Sequence, residues 1–373
     1  MSEVLLKTPL HALHQTLGAR MVPFAGYDMP VQYPMGVLKE HLHTRAQAGL
    51  FDVSHMGQIH LTGPGVAAAL EALVPVDIID LPVGTQRYAL FTNDQGGILD
   101  DLMVAKLAQD HLFLVVNAAC KHADLAHLQQ HLPSTCTIEP VFEARALLAL
   151  QGPKAAEVLA RLQPAVAEMT FMQFTALDID GASCFVSRSG YTGEDGYEIS
   201  VPSDQAERLA QRLLAEPEVA PIGLGARDSL RLEAGLCLYG HDMNDALTPV
   251  EASLGWAISK ARRVDGPRAG GFPGAERIFS QQREGVARKR VGLLPQDRMP
   301  VREGAEVLDA QGKTVGQVCS GGFGPSLNAP VAMAWIDAHL SAPGTELQAL
   351  VRGKKVAVKV ATMPFVAQRY YRG

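Results

Sequence analysis

The sequence predicts an α+β fold made of two split β-α-β (ferredoxin-like) lobes and a C-terminal all-β barrel. The chain has 373 residues, which is more than a single hydrophobic core usually serves. Residues 61–73 are echoed by residues 150–162, so two parts of the chain share one plan. From residue 288 onward, short β-rich runs alternate with Gly, Pro and Asp turns, as in a small barrel.

The two echoed segments each predict a strand that leads into a helix. In both, a Gly-Pro pair ends the strand, the fixed φ of proline can open a helix, and leucines recur at helical spacing. The strands and helix expected after the first segment lie at 87–92, 98–105, 111–117 and 121–132. Those expected after the second lie at 183–187, 197–201 and 204–214. Ser203 or Asp204 would cap the last helix. Each half is therefore predicted to be a β-α-β-β-α module with its helices on one face of an antiparallel sheet.

Residues 260–274 predict an exposed, weakly packed linker, because Gly, Pro and Arg dominate the segment. The barrel is expected to follow it. Its predicted strands lie at 290–294, 305–308, 314–319, 331–336, 346–351 and 356–361.

Charge and composition exclude several classes of protein. The formal net charge is -6, so the whole chain offers no basic field to nucleic acid or to an anionic membrane. No apolar run approaches the roughly 18 residues of a membrane span, and no signal peptide is recognisable, so we expect a cytoplasmic protein. The five scattered cysteines predict reduced thiols, and His41 and His43 lack further ligands at suitable spacing, so no metal site is expected.

Two adjacent acids, Asp100 and Asp101, lie inside an apolar strand that follows Gly96 and Gly97. A charge in such a strand is costly unless it has partners. Strand alternation sends the two side chains to opposite faces, so one can enter a cleft while the other caps the preceding turn. The alternative is an edge strand that the acids merely decorate, and the residues alone favour it.

Glu198 and Arg227 form a second candidate pair. Glu198 follows a glycine-punctuated loop at 190–196, and Arg227 begins a helix after Gly223 and Gly225. A carboxylate accepts two N–H bonds from an aminopyrimidine edge, and a guanidinium serves a carbonyl or ring nitrogen, so together they could clamp a heteroaromatic ring. The alternatives are an exposed strand acid and a salt-bridged helix face.

Taken together, these phrases resemble one family, the aminomethyltransferases or T proteins of the glycine cleavage system. The matching stretches occur in order along nearly the whole chain. They lie at 7–10, 23–26, 51–57, 96–102, 190–198, 226–240 and 363–366.

The resemblance implies three domains arranged as a cloverleaf around a central folate channel. On that arrangement, residues 1–275 form the folate-binding aminomethyltransferase region, and residues 286–373 form the barrel. The two lobes within the first region are expected to comprise 1–55 with 142–225 and 56–141 with 226–275.

The resemblance also implies a reaction. An aminomethyl group carried on the lipoyl arm of the H protein gives its carbon to tetrahydrofolate, which releases ammonia and leaves the dihydrolipoyl arm. The expected co-substrate is tetrahydrofolate and the expected partner is the lipoylated H protein, with no metal, nucleic acid or membrane.

The family's functional residues map onto positions of this sequence. The catalytic carboxylate falls on Asp101, and the pterin contacts fall on Glu198 and Arg227. Further folate or channel contacts fall on Tyr370, Tyr88, Asn117 and Tyr191.

Two rival functions stay open on the same scaffold. One is another tetrahydrofolate-dependent one-carbon transferase or demethylase, and the other is a non-catalytic folate-binding protein. For docking of an acidic carrier protein, the sequence offers a basic patch or, equally, a solvated loop. The candidate residues are Lys260, Arg262, Arg263, Arg268, Arg288, Lys289 and Arg290.

Overall fold

A computed structural model of the chain describes residues 4–373. Its helices are α1 (His11–Thr16), α2 (Val37–Ala46), α3 (Val66–Glu71), α4 (Lys121–His131), α5 (Ala155–Leu162), α6 (Ser203–Leu214), α7 (Leu224–Glu233) and α8 (Ala275–Glu284). Its strands are β1 (Arg20–Phe24), β2 (Tyr27–Gln32), β3 (Ala48–Asp52), β4 (Gly57–Thr62), β5 (Thr85–Thr92), β6 (Ile98–Ala108), β7 (His111–Val116), β8 (Thr137–Pro140), β9 (Arg145–Gln151), β10 (Phe174–Ile179), β11 (Ala182–Arg188), β12 (Gly196–Pro202), β13 (Val219–Pro221), β14 (Arg288–Pro295), β15 (Glu306–Leu308), β16 (Thr314–Gly324), β17 (Ala329–Asp337), β18 (Glu346–Val351) and β19 (Lys354–Ala361).

Lobe 1 is a five-stranded sheet with the order β5-β6-β7-β4-β8. Its strands pair antiparallel, and α3 and α4 cover one face. Val66 and Leu70 of α3 and Leu128 of α4 are fully buried against sheet residues such as Phe91 and Leu102. The opposite face of this sheet is therefore left to meet the rest of the molecule.

Lobe 2 is a six-stranded sheet with the order β10-β11-β12-β9-β3-β13. Helices α5 and α6 cover one face, where Val158, Leu159 and Leu209 pack on sheet residues Leu148 and Ile199. All neighbours are antiparallel except β13 and β3, which run parallel. The lobe repeats the plan of lobe 1, as the echoed sequences predict.

Residues from Arg288 to Ala361 close into a barrel with the strand order β14-β17-β16-β15-β18-β19. Apolar side chains from its strands, including Leu293, Ala334 and Val358, fill the interior. The predicted fold class, two sheet-based α+β lobes with a C-terminal barrel, is confirmed.

Helix α7 connects the lobes to the barrel. Ala226 and Leu230 pack on the uncovered face of the lobe 2 sheet, whereas Leu232 packs on Val331 and Met333 of the barrel. Because α7 lies between these two bodies, the first turn of the helix is held in a fixed position.

Several local predictions are wrong. The second module has a further strand, β10, and neither Ser203 nor Asp204 caps α6, whose first residue follows Pro202 and makes no side-chain cap bond. The segment 260–274 is not weakly packed, because Arg262 and Arg268 both bind the Glu71 carboxylate of α3. A single helix end thus anchors the predicted linker to lobe 1.

Beyond β19, the chain runs back to the lobes as a tail. The amides of Phe365 and Val366 both donate to the Glu233 carbonyl at the end of α7, and the Arg369 amide donates to the Gly193 carbonyl. The Tyr371 carbonyl accepts from the amide of Phe171. These contacts fix Tyr370 next to lobe 2.

Candidate active site

Asp101 lies on β6, opposite Leu90 of the neighbouring strand β5. Alternation places its side chain on the same sheet face as that of Tyr88, two residues before Leu90. Nδ2 of Asn117 donates to the Asp101 carboxylate at 2.6 Å, and the Tyr88 hydroxyl on the same face offsets part of the rise in the Asp101 pKa. One neutral donor thus orients this carboxylate, with the Tyr88 hydroxyl nearby.

The proton affinity of Asp101 is unusually high for an aspartate. Burial, followed by the negative charge of Asp100, raises the pKa of Asp101 to about 7. A carboxyl group with such a pKa changes its charge near neutral pH, which suits a group that acts on a reacting centre.

Asp100 is fully buried and faces the other way, toward α4. Its carboxylate accepts from the backbone amide of Asn117 at 3.1 Å and from Nδ2 of the same residue at 2.9 Å. Asn117 therefore contacts both acids and couples them across the strand.

Glu198 lies on β12 between Ser187 of β11 and Ala149 of β9. The Ser189 hydroxyl lies 3.5 Å from its Oε2, at the limit of a hydrogen bond. Burial raises the pKa of Glu198, and the nearby charge of Arg227 offsets this only in part. The carboxylate keeps accepting capacity that the described part of the chain does not use.

Arg227 lies in the first turn of α7, with its guanidinium 4.6 Å from the centre of the Tyr191 ring. Burial lowers its pKa, and within residues 4–373 it makes no ion pair or side-chain hydrogen bond. Tyr191 is held in turn, because its hydroxyl donates to the Cys237 carbonyl. Five planar N–H donors thus remain available.

Tyr370 completes the group from the tail. Its ring stacks on Phe171 with centroids 4.2 Å apart and planes 14° apart. Burial raises its pKa to about 12; the charges of Glu194 and Glu198 add to the rise, and those of Arg372 and Arg45 oppose it. The phenol is therefore neutral and near the Glu198 carboxylate.

The predicted site residues come from different elements and act on one another electrostatically. The charge of Asp101 raises the pKa values of Tyr88 and Tyr191. Tyr191 and Glu198 in turn act on the pKa of Arg227. The charge of Glu198 also raises the pKa of Tyr370. Residues from lobe 1, lobe 2, α7 and the tail therefore lie in one neighbourhood.

Trp256 belongs to the same region, although no motif in the sequence identified it. Its ring stacks on Tyr88 at 5.3 Å while 63% of the residue stays exposed. It lies in a single 3-10 turn, Gly255–Ala257. Trp256 therefore forms a solvent-facing wall over a tyrosine that lies near Asp101.

His55 is a second residue that the motifs did not assign. It is 3% exposed, and its Nδ1 has no hydrogen-bond partner. Burial, together with the charges of Arg227 and Lys121, lowers its pKa to about 3. It is a neutral imidazole beside Arg227, and only its place in the stretch 51–57 could have drawn notice.

The predicted basic patch is mostly neutralised. Arg262 and Arg268 bind Glu71, Arg288 binds Glu251, and Arg290 is buried. Within residues 4–373, no group of three or more His, Cys, Asp or Glu side chains is arranged to hold a metal ion, and no helix is long and apolar enough to cross a membrane.

Comparisons with known proteins agree over both parts of the chain. Residues 10–262 match the GCVT N-terminal domain, and residues 288–367 match the glycine cleavage T-protein C-terminal barrel domain. The mitochondrial aminomethyltransferase of Dictyostelium discoideum is 45% identical over 386 residues, covering 99% of this chain and 94% of that protein. That of Gallus gallus is 47% identical over 375 residues, with the same coverage of 99% and 94%.

The likeness extends to three dimensions. The crystal structure of the glycine cleavage system aminomethyltransferase T from Bartonella henselae is 46% identical and superposes with a TM-score of 0.93, covering 99% of this chain and 100% of that chain. The protein is thus an enzyme that transfers one-carbon groups. More closely, the chain belongs to the aminomethyltransferase family, the T proteins of the glycine cleavage system, as its motifs predict.

The prediction of a cytoplasmic location is contradicted by these relatives. The aminomethyltransferases of Dictyostelium discoideum, Flaveria trinervia and Gallus gallus are all named as mitochondrial. The prediction depended on the scattered cysteines, which do not separate one reducing compartment from another.

Proposed function

We propose that the chain binds tetrahydrofolate through Glu198 and Arg227 and loads it with the carbon of an aminomethyl group held on the lipoyl arm of an H protein. One observation carries the proposal. Glu198 and Arg227 are oppositely charged and largely buried, yet each keeps hydrogen-bonding capacity that the surrounding protein does not use. Buried charges are normally paired, so this spare capacity suits a polar ligand.

The chemistry of a pterin matches the two groups. Its aminopyrimidine edge presents neighbouring N–H donors, which a carboxylate accepts in a bidentate manner, and a ring carbonyl that a guanidinium can serve. The unpartnered Nδ1 of His55 beside Arg227 offers one more polar contact. Tyr191 and Tyr370 supply aromatic faces next to these charges.

Asp101 is proposed as the catalytic carboxylate. The transferred carbon passes through a cationic, iminium-like state, and a fixed anion beside it lowers the barrier. Asn117 holds the carboxylate in place through its hydrogen bond, beside Tyr88. Because the Asp101 side chain is only partly exposed, less water screens the anion and it acts at closer to its full strength.

The lobes and the partner follow from the same proposal. Residues 1–275 form the folate-binding region, with one lobe from 1–55 and 142–225 and the other from 56–141 and 226–275, and residues 286–373 form the barrel domain. The lipoylated H protein is the donor. Within the predicted basic patch, Arg262, Arg268 and Arg288 bind carboxylates of this chain, so these three contribute little free charge to docking.

Titration calorimetry with tetrahydrofolate tests the ligand assignment. Charge-assisted hydrogen bonds contribute roughly 1.5–3 kcal/mol, so Glu198→Gln should weaken binding about ten- to a hundredfold. Glu207→Gln, on the exposed side of α6, serves as the matched control and should leave the dissociation constant unchanged. An unchanged constant for Glu198→Gln would return this residue to the role of a plain strand acid.

Turnover assays identify the donor. Transfer from aminomethylated H protein, with no transfer from small methyl donors, supports the proposal. Transfer only from small methyl donors would assign the site to a demethylase, and no transfer from either would leave a protein that only binds folate.

A further inference from the structure

A third carboxyl group, that of Asp124, lies beneath the proposed catalytic acid. Asp124 is on α4, is 3% exposed, and its carboxyl neighbours that of Asp100, which is fully buried. Asp100 contacts Asn117, and Asn117 contacts Asp101. The three acids therefore form one connected group that crosses β6 from the helix side to the site side.

No cation of the described chain contacts this group. The side chains that face it are Cys120 and Asn117 beside α4, Tyr88 on β5, and Tyr239, Cys237 and Tyr191 from the loops packed against the sheet. All of them are neutral, since burial raises the pKa of each ionisable one further above its ordinary value. Asp100 and Asp124 are buried and Asp101 is partly exposed. Three such neighbouring carboxylates cannot all stay ionised without a counter-charge, so protons must neutralise part of the group.

The hydrogen bonds decide where a proton resides. Asp100 accepts two bonds from Asn117, which an ionised carboxylate does best. Within residues 4–373, Asp124 has no donor of this kind, and its Oδ2 has no partner. Burial and the charge of Asp100 raise the pKa of Asp124 to about 10. Asp124 is thus the carboxylic acid, and its O–H donates to Asp100.

We propose that Asp124 is a positioning residue that keeps its proton and donates it to Asp100, so that Asp100 remains an anion, anchors Asn117 and thereby fixes the orientation and charge of Asp101. The two N–H groups of the Asn117 amide divide between the acids, at 2.9 Å to Asp100 and 2.6 Å to Asp101. This inference rests on the proposed catalytic role of Asp101 and adds the group that controls it.

The arrangement has a measurable electrical consequence. The charge on Asp100 is one of the two main causes that raise the pKa of Asp101. If Asp124 loses its donor, Asp100 takes up the proton itself and no longer repels the Asp101 charge. The pKa of Asp101 then falls, and the acid limb of turnover moves to lower pH.

The experiment compares Asp124→Leu, which has a similar size and no donor, with Asp124→Asn, whose amide keeps a donor and cannot ionise. The measurement is kcat from about pH 5 to about pH 9 at saturating tetrahydrofolate and aminomethylated H protein. For Asp124→Leu we expect the acid limb to move down by about one pH unit and kcat to fall about tenfold. For Asp124→Asn we expect the wild-type limb and kcat within about threefold of wild type.

A purely structural role would lower thermal stability without moving the acid limb, and that result would overturn the proposal. An Asp124→Asn enzyme that behaves like Asp124→Leu would overturn it as well, because the donor would then be irrelevant. An Asp101→Asn enzyme with normal turnover would instead refute the proposed catalytic role.

Infrared difference spectroscopy tests the proton directly, even if Asp124→Leu does not fold. Wild-type enzyme at about pH 8 should show the carbonyl stretch of a protonated carboxylic acid. Asp124→Asn should remove this band, whereas Asp204→Asn, an exposed acid at the start of α6, should retain it. A wild-type spectrum without the band would refute the proposal whatever the kinetics show.

Discussion

Two charge clusters in this protein, one buried and one partly exposed, have opposite electrical characters. The junction cluster, formed by His41, Arg45, Glu194 and Glu233, joins α2, α7 and the loop before β12 with ion pairs of 2.8–3.1 Å. The site cluster, formed by Asp101, Glu198 and Arg227, contains no ion pair. Both clusters contain opposite charges, but only in the junction cluster do these charges form ion pairs with each other.

The pKa values record this difference. Burial alone would raise the pKa of Glu233, but the hydrogen bond and charge of His41, with help from Ser326 and Arg45, bring it to about 2. At Asp101 and Glu198 burial prevails and the pKa rises. The junction cluster therefore contributes to the assembly of the fold, whereas the charges of the site cluster form no ion pair within the described residues, as the proposed binding of a polar ligand requires.

The largest expected effect comes from removing the charge at Asp101. Asp101→Asn should fold normally and lower kcat by about two to four orders of magnitude. In the wild type, the active carboxylate forms as pH rises, so kcat should increase through about pH 7, where the pKa of Asp101 lies. Steady-state kinetics across pH check both points. A variant with near-normal kcat and the same acid limb would mean that another group controls turnover.

The next effect separates the two clusters by stability. Arg45→Met leaves Glu194 and Glu233 buried without their shared cation and should cost about 3–5 kcal/mol of unfolding free energy. Arg227→Met removes a cation that has no partner among the described residues, so it should cost almost no stability while abolishing tight folate binding. Denaturant titration and calorimetry measure both variants. Equal losses of stability would contradict the division into clusters.

The smallest effect concerns a surface pair. Arg288 is half exposed and binds Glu251 at 3.0 Å, so Arg288→Met should cost about 0.2–1 kcal/mol, and less at high salt. Because its charge is already engaged, the Michaelis constant for H protein should not change. Lys289→Met, the exposed neighbour, is the matched control. A several-fold rise for Arg288→Met alone would restore this residue to the docking surface.

The fold was largely predictable because its signals are local. The Gly-Pro corners, the helical spacing of leucines and the turns of the barrel all act over a few residues. What the sequence did not predict depends on distant partners. Arg262 in a Gly-rich loop gives no indication that it binds Glu71, 191 residues away. The missed strand β10 is partly polar and depends on pairing with β11.

The same limit applies to the site. Asp101, Glu198 and Arg227 lie in stretches that match the family, so the resemblance could single them out as site candidates, although the residues alone favoured plainer readings. Trp256 and Asp124 lie in no such motif, and they matter only because folding brings one onto Tyr88 and the other onto Asp100. A contact between elements cannot be derived from either element alone.

The contacts of the tail can form only late in the synthesis of the chain. Its bonds to Glu233 and Gly193 come from residues that follow the last barrel strand, which ends at Ala361. While a ribosome makes the chain, both lobes and the barrel emerge before these bonds can form, since domains fold as they leave the ribosome. In the nascent chain, both lobes and the barrel are thus made before the tail can bind α7 and lobe 2, so these bonds are the last to form.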